Sequence, residues 1–229
     1  MGTLEALRVR DSGIMTEPRP ASDDPATRGS ASTTGAAIRR VGIVVWEGVE
    51  LLDFAGPGQV FAVAGFDVSI LAARPGTVTS QGFLRVEPSA TLGEGPPPEV
   101  LVVPGGGTES ALADELLVGA IRRVAARAEF VLSVCTGALL LGAAGILDDL
   151  EATTWHGAMD RLRALTPRTR VVDGVRWVDN GRVITAAGVS AGIDASLHLV
   201  GRLRGESARN EVARYMEYEP ANKRPERAP

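Results

Sequence analysis

The sequence predicts an α/β fold, a doubly wound and mostly parallel sheet with helices on both faces. Two observations carry that expectation. The apolar runs "VGIVVW", "EVLVV" and "EFVLSV" are continuous rather than alternating, as strands buried on both faces must be. They are separated by stretches of helical period, so strand and helix alternate along the chain. The 229 residues, 45% hydrophobic and 23% charged, contain no internal repeat and suit one domain with a tail.

Taken in order, residues 1–37 are rich in Ser, Thr, Ala, Pro and Gly without an apolar period, which predicts a disordered and dispensable leader. The domain is expected over 38–219, followed by a polar tail over 220–229. "VGIVVW" is the first strand; after a turn containing "GPG", a helix is expected from about Pro57 to Ala64. "FDVSILAA" reads as a strand, and "TVTSQGFLRVEPSATL" as a hairpin with Gly82 near its turn. The strand "EVLVV" runs into the loop "PGGG", and Glu109 to Ala128 has helical period. "EFVLSV" is the next strand, and "TGALLLGAAGIL" is apolar nearly all round, so it predicts a buried helix. A short strand "EATTW", a helix "HGAMDRLRAL" and short strands at the "DG" and "DNG" turns follow. A long helix starting near Ser190 as N-cap and a last helical stretch, "ESARNEVARYMEYE", complete the domain.

The totals exclude several function classes. The formal net charge of −4, from 28 acidic and 24 basic residues, is spread without a basic block, so no nucleic-acid partner is expected. No apolar stretch reaches the roughly 18 residues of a membrane span, and the start lacks a signal-peptide pattern, which makes a soluble cytoplasmic protein the expectation. One cysteine allows neither an internal disulfide nor a thiolate metal cluster. No metal site is expected.

That cysteine, Cys135 in "VLSVCTG", stands where a buried strand meets a helix. Ligand sites of open α/β sheets lie beyond the carboxyl ends of the strands. A tight strand-to-helix turn presents a reactive side chain, and the helix N-terminus favours a thiolate at neutral pH. Small buried filler is the alternative reading. "VVPGGG" ends an earlier strand, so Gly106 and Gly107 could aim N–H groups at a developing oxyanion, with the N–H of Thr136 as a further donor. That loop lacks the Lys-Ser/Thr of a phosphate loop, and "AGPGQVF" lacks dinucleotide spacing, so no cofactor is expected. Of the two histidines, His198 lies within the long helix and reads as structural, whereas His156, after Trp155, could approach the active edge. Asp53 has apolar neighbours on both sides, where an unpartnered acid is costly; Glu50 reads as a solvated acid or an alternative proton carrier.

Five motifs, in order, resemble the ThiJ/PfpI superfamily of flavodoxin-like proteins related to class I glutamine amidotransferases. They are "GVELLDFAGPGQVF" (48–61), "VVPGGG" (102–107), "SVCTGALLLGAAGIL" (133–147), "ATTWHGAMDRL" (152–162) and "VITAAGVSAGIDASL" (183–197). The chain is most similar to the isocyanide hydratase branch and to the ligand domains of AraC-type regulators. The resemblance implies Cys135 as nucleophile, Asp53 as the acid or base beside it and Thr136 as its neighbour at the elbow. It further implies a small-molecule substrate, with Trp155 and His156 at the pocket wall, and a homodimer. The alternatives are glyoxalase or deglycase action on α-oxo aldehydes, or ligand or redox sensing without turnover. Thr136, where protease-like and deglycase-like members place His, argues against a protease.

Overall fold

The computed structural model describes residues 40–221, so the expectation of a disordered leader over 1–37 lies outside the described residues, as do the last eight positions of the tail. The seven-stranded sheet has the order β10-β11-β7-β6-β1-β2-β5. Its centre is built from β1 (Arg40–Val45), β6 (Val100–Val103) and β7 (Phe130–Val134), flanked by β2 (Asp67–Ala72) and β11 (Val183–Ala186). These are the continuous apolar runs, and their parallel pairing is the one that needs burial on both faces. At the edges, β5 (Ala90–Thr91) pairs parallel with β2, whereas β10 (Trp177–Asp179) returns antiparallel to β11 through the "DNG" turn. The hairpin β3 (Val78–Ser80) with β4 (Leu84–Val86), and the pair β8 (Glu151–Ala152) with β9 (Arg170–Val171), stand apart from the main sheet.

Helix α1 (Leu51–Val63) begins six residues before the proline at which the sequence places its start. Pro57 lies inside it and has no N–H to offer the carbonyl of Asp53. The helix nevertheless continues, because only helical spacing buries Asp53, Phe54, Pro57 and Phe61 on one face. The expected single helix over 109–128 is two: α2 (Thr108–Ala113) and α3 (Glu115–Ala125). Asp114 divides them by accepting from the N–H groups of Leu116 and Leu117 at 3.1 and 3.2 Å, an N-cap in mid-segment.

Helix α4 (Gly137–Ala143) is buried as its composition predicts, with Leu139, Leu140 and Leu141 all inaccessible; each contributes about 2 kcal/mol of burial. A 3-10 turn (His156–Ala158) leads into α5 (Met159–Leu165). In α6 (Ala191–Arg204), Ser190 occupies the N-cap position but makes no capping bond, contrary to expectation; its hydroxyl faces Arg176 instead. Helix α7 (Glu206–Tyr215) ends the regular structure. The packed chain extends past residue 219, since the N–H of Ala221 donates to Asp194 at 3.1 Å. His198 pairs with Asp179 at 2.7 Å, the structural role expected of it. Among the described residues no helix is long and apolar enough to cross a membrane.

Candidate active site

The parallel strands β1, β6, β7 and β11 deliver their carboxyl ends to one edge of the sheet. Cys135 lies at that edge, one residue past β7, with φ of +55°. A non-glycine residue held there is strained by about 1–3 kcal/mol and persists only where its surroundings dictate the conformation. Here they do. The Cys135 N–H donates to the carbonyls of Ala187 and Ala186 at 2.9 and 3.2 Å, and its own carbonyl accepts from the Thr154 hydroxyl at 2.7 Å. Two residues on, a Cβ at Gly137 would stand 2.0 Å from the Val103 carbonyl oxygen, so the turn closes onto β6 only with glycine. The residue is 6% exposed.

Asp53 reaches the same place from the first turn of α1 and is inaccessible to solvent. Its Oδ2 accepts from the Gly105 N–H at 2.9 Å; its Oδ1 is buried with no hydrogen-bond partner among the described residues. A Cβ at Gly105 would lie 2.6 Å from the Thr136 N and 2.8 Å from Asp53 Oδ2, so a bare backbone is required where the three meet. The loop 105–107 is sewn to the start of α1: the Glu50 N–H donates to the Gly105 carbonyl at 2.9 Å, and that of Gly107 to the Gly48 carbonyl at 3.0 Å. The backbone N–H groups of Thr136 and Val189 and the Thr136 hydroxyl lie near the Cys135 sulfur and favour its charged form.

The comparison with known families now has a geometry to meet. The model of the DJ-1/PfpI family matches residues 39–202, which span every element of this site. The chain belongs to that family. Isonitrile hydratase of Pseudomonas putida is similar to it at 36% identity over 187 residues, covering 80% of this chain and 79% of that protein. A deglycase of Pyrococcus horikoshii is 29% identical, covering 67% and 87%. A ThiJ/PfpI family protein from Pseudomonas syringae has a crystal structure that superposes with a TM-score of 0.74 at 32% identity, covering 83% of this chain and 79% of that one.

In this DJ-1/PfpI protein the expected glycine donors need correction. The Gly106 N–H donates to the Thr136 hydroxyl at 3.0 Å and the Gly107 N–H is held by Gly48, so neither is free for an oxyanion. Both glycines build the loop rather than the donor set. Trp155 does border the site, since a Cβ at Gly188, next to Val189, would lie 2.6 Å from its indole ring. His156 is exposed and its ring lies 4.8 Å from that of Trp155; no hydrogen bond ties it to Asp53 or Cys135. The acid–thiol pair therefore stands without the histidine. Glu50 is half-buried, and its carboxylate accepts from Gln81 Nε2 at 2.8 Å in a bond open to solvent.

The resting thiolate expected from the helix N-terminus is also corrected. Burial, and then the charge of Asp53, push the Cys135 thiol up to about 12, against the opposing N–H groups of Thr136 and Val189. Burial and the nearby Glu50 lift Asp53 from its ordinary 3.8 to about 7, opposed by the Gly105 N–H and by Cys135. Two anions in this apolar setting repel, so between about 7 and about 12 the pair holds one proton, with Asp53 ionised and Cys135 a thiol. Sequence reasoning missed Val189 altogether. It has φ of +43°, a conformation that a β-branched residue rarely adopts and that nothing in its local sequence announces. A cavity of about 770 Å³, lined in part by Val41, Leu71, Pro98 and Arg127, sits at the opposite end of the strands and includes none of these groups.

Proposed function

We propose that the chain is a cofactor-free, cysteine-dependent hydratase that converts an isocyanide to an N-substituted formamide. The observation that carries this reading is the unbonded Asp53 Oδ1, buried beside a strained elbow thiol that faces two backbone donors. Asp53 takes the thiol proton as the sulfur attacks the terminal isocyanide carbon, and returns it to that carbon, which leaves a thioimidate on Cys135. Water then adds to the thioimidate carbon, the nitrogen is protonated, and the C–S bond breaks to release formamide and thiol. Covalent attack thus splits one hard addition into two easier ones. The similarity to an isonitrile hydratase supports the choice of electrophile.

The test is direct. Purified protein incubated with a panel of alkyl and aryl isocyanides, and separately with methylglyoxal, is expected to form formamide catalytically and little lactate. Lactate without formamide would move the assignment to α-oxo aldehydes. Single-turnover modification of Cys135 without product would make it a sensor.

The rate is expected to rise with pH and level off, with a midpoint near 7. The sign follows from the proton count. Turnover needs the pair to hold a single proton, and above about 7 Asp53 has released the second. An initial-rate profile from pH 5 to 9 checks this, and a flat profile would remove Asp53 from the chemistry.

The active form is proposed to be a homodimer. Phe83 and Leu84 of the β3–β4 hairpin are 69% and 38% exposed, and Leu52 of α1 is 38% exposed. Gln81 binds that hairpin to the start of α1 through Glu50, so these apolar side chains rim the active edge. Sedimentation at micromolar concentration should give twice the chain mass, and Phe83→Asp should shift it toward the monomer.

A further inference from the structure

Asp194 is a buried carboxylate that this chemistry does not use. It lies in the first turn of α6, 2% exposed, with both oxygens occupied. Oδ2 accepts from Arg176 Nε at 2.8 Å and from Arg176 Nη2, while Oδ1 accepts from the Tyr218 hydroxyl and the Ala221 N–H, both at 3.1 Å. Arg176, just before β10, also grips the segment that leads into α6. Its carbonyl accepts from the Ala187 N–H at 2.9 Å, and its Nη1 and Nη2 both stand 3.4 Å from Ser190 Oγ. Between Ala187 and Ser190 lies Val189; the segment abuts the nucleophile, since the Ala187 carbonyl accepts from the Cys135 N–H at 2.9 Å and the Val189 N–H lies near the sulfur.

We propose that Arg176 is a positioning residue for the nucleophile: by holding Ala187, Ser190 and Asp194 together it keeps the Val189 N–H aimed at Cys135. This rests on the reading of Cys135 as the nucleophile. The physical argument starts from strain. A β-branched residue at positive φ relaxes unless its neighbours are fixed, and Arg176 fixes the chain on both sides of it. A planar guanidinium suits the task, because its fork spans Asp194 and Ser190 at once while neutralising the buried carboxylate. When the turn relaxes, the sulfur keeps the Thr136 N–H but loses one of its two backbone donors, while Asp53 still faces it. Thiolate and transition state both lose stabilisation.

Arg176→Lys keeps the positive charge beside Asp194 but cannot fork to Ser190. The chain has one cysteine, so iodoacetamide reads Cys135 alone. The alkylation rate and kcat are each expected to fall on the order of tenfold, with KM nearly unchanged. Arg202→Ala is the comparison. It takes Arg202, on the same helix as Asp194, out of its pair with Asp179 of β10 at 2.9 Å, and should lower Tm without touching either rate. If Arg176→Lys fails to fold, the double variant Arg176→Gln with Asp194→Asn replaces the ion pair by neutral amides and leaves no charge unpaired. It should show the same loss of reactivity. A folded variant with wild-type alkylation and kcat overturns the proposal. Because alkylation needs no isocyanide, a wild-type protein that forms no formamide would end the hydratase reading, while slower alkylation of the variant would still uphold the clamp.

Discussion

Cys135→Ser is expected to abolish formamide production, by on the order of 10⁴-fold or more, while leaving the fold in place. The serine hydroxyl is a far weaker acid than a thiol, and the burial that pushes the thiol up to about 12 acts on it as well. Asp53, titrating near 7, can share a proton with a thiol drawn onto an electrophile, but it is too weak a base for an alcohol. Oxygen is also smaller than sulfur, so its distance to the isocyanide carbon grows. Stability should change little, since the backbone bonds to Ala186, Ala187 and Thr154 that hold the positive φ do not involve the side chain. Product quantified by mass spectrometry, together with Tm, checks both halves. Formamide at the wild-type rate would mean that the thiol is not the nucleophile.

The second large effect is that of Asp53→Asn, which should lower turnover on the order of a hundredfold and yet stabilise the protein at alkaline pH. The amide keeps the Gly105 N–H bond through its carbonyl oxygen but can neither accept nor return the thiol proton. The stability gain follows from the raised pKa. Between pH 3.8 and about 7 the unfolded chain ionises Asp53 while the folded chain keeps its proton, so the folded state loses stability as pH rises through that window. At about 1.4 kcal/mol per unit, the penalty amounts to a few kcal/mol above pH 7. Asparagine removes it. Denaturant melts should place the variant above wild type at pH 8 and level with it below pH 4; a variant less stable at pH 8 would contradict the buried penalty. Asp53→Glu tests the same site sterically, since an added methylene must displace Gly105 or Cys135.

The elements most legible in the sequence were those whose composition left one physical outcome. The runs at 41–45, 100–103 and 130–134 could only be strands covered on both faces, and "GALLLGA" could only be a buried helix. The start of α1 was not legible, because Pro57 signals a first turn locally and is overruled by the packing of Asp53 and Phe54. The break at Asp114 is, by contrast, written in the sequence as an N-capping residue type followed by an acidic first turn, a start signal masked by the longer helical period.

For the site, the sequence by itself determined which chemical groups exist: one thiol, an acid embedded in apolar residues, a glycine loop ending a strand, and no second nucleophilic sulfur. Those are properties of residue type and of position at a strand end. The tertiary structure alone decided how they meet. It brought Gly105, from the loop after β6, between Asp53 and Thr136, occupied the N–H groups of Gly106 and Gly107, and turned His156 outward. It also forced Val189 into a conformation that its own side chain opposes, with its N–H near the sulfur. The physical reason is that hydrogen-bond partners and proton affinities depend on distance and burial between residues some 30 to 80 positions apart, and local sequence carries no record of either.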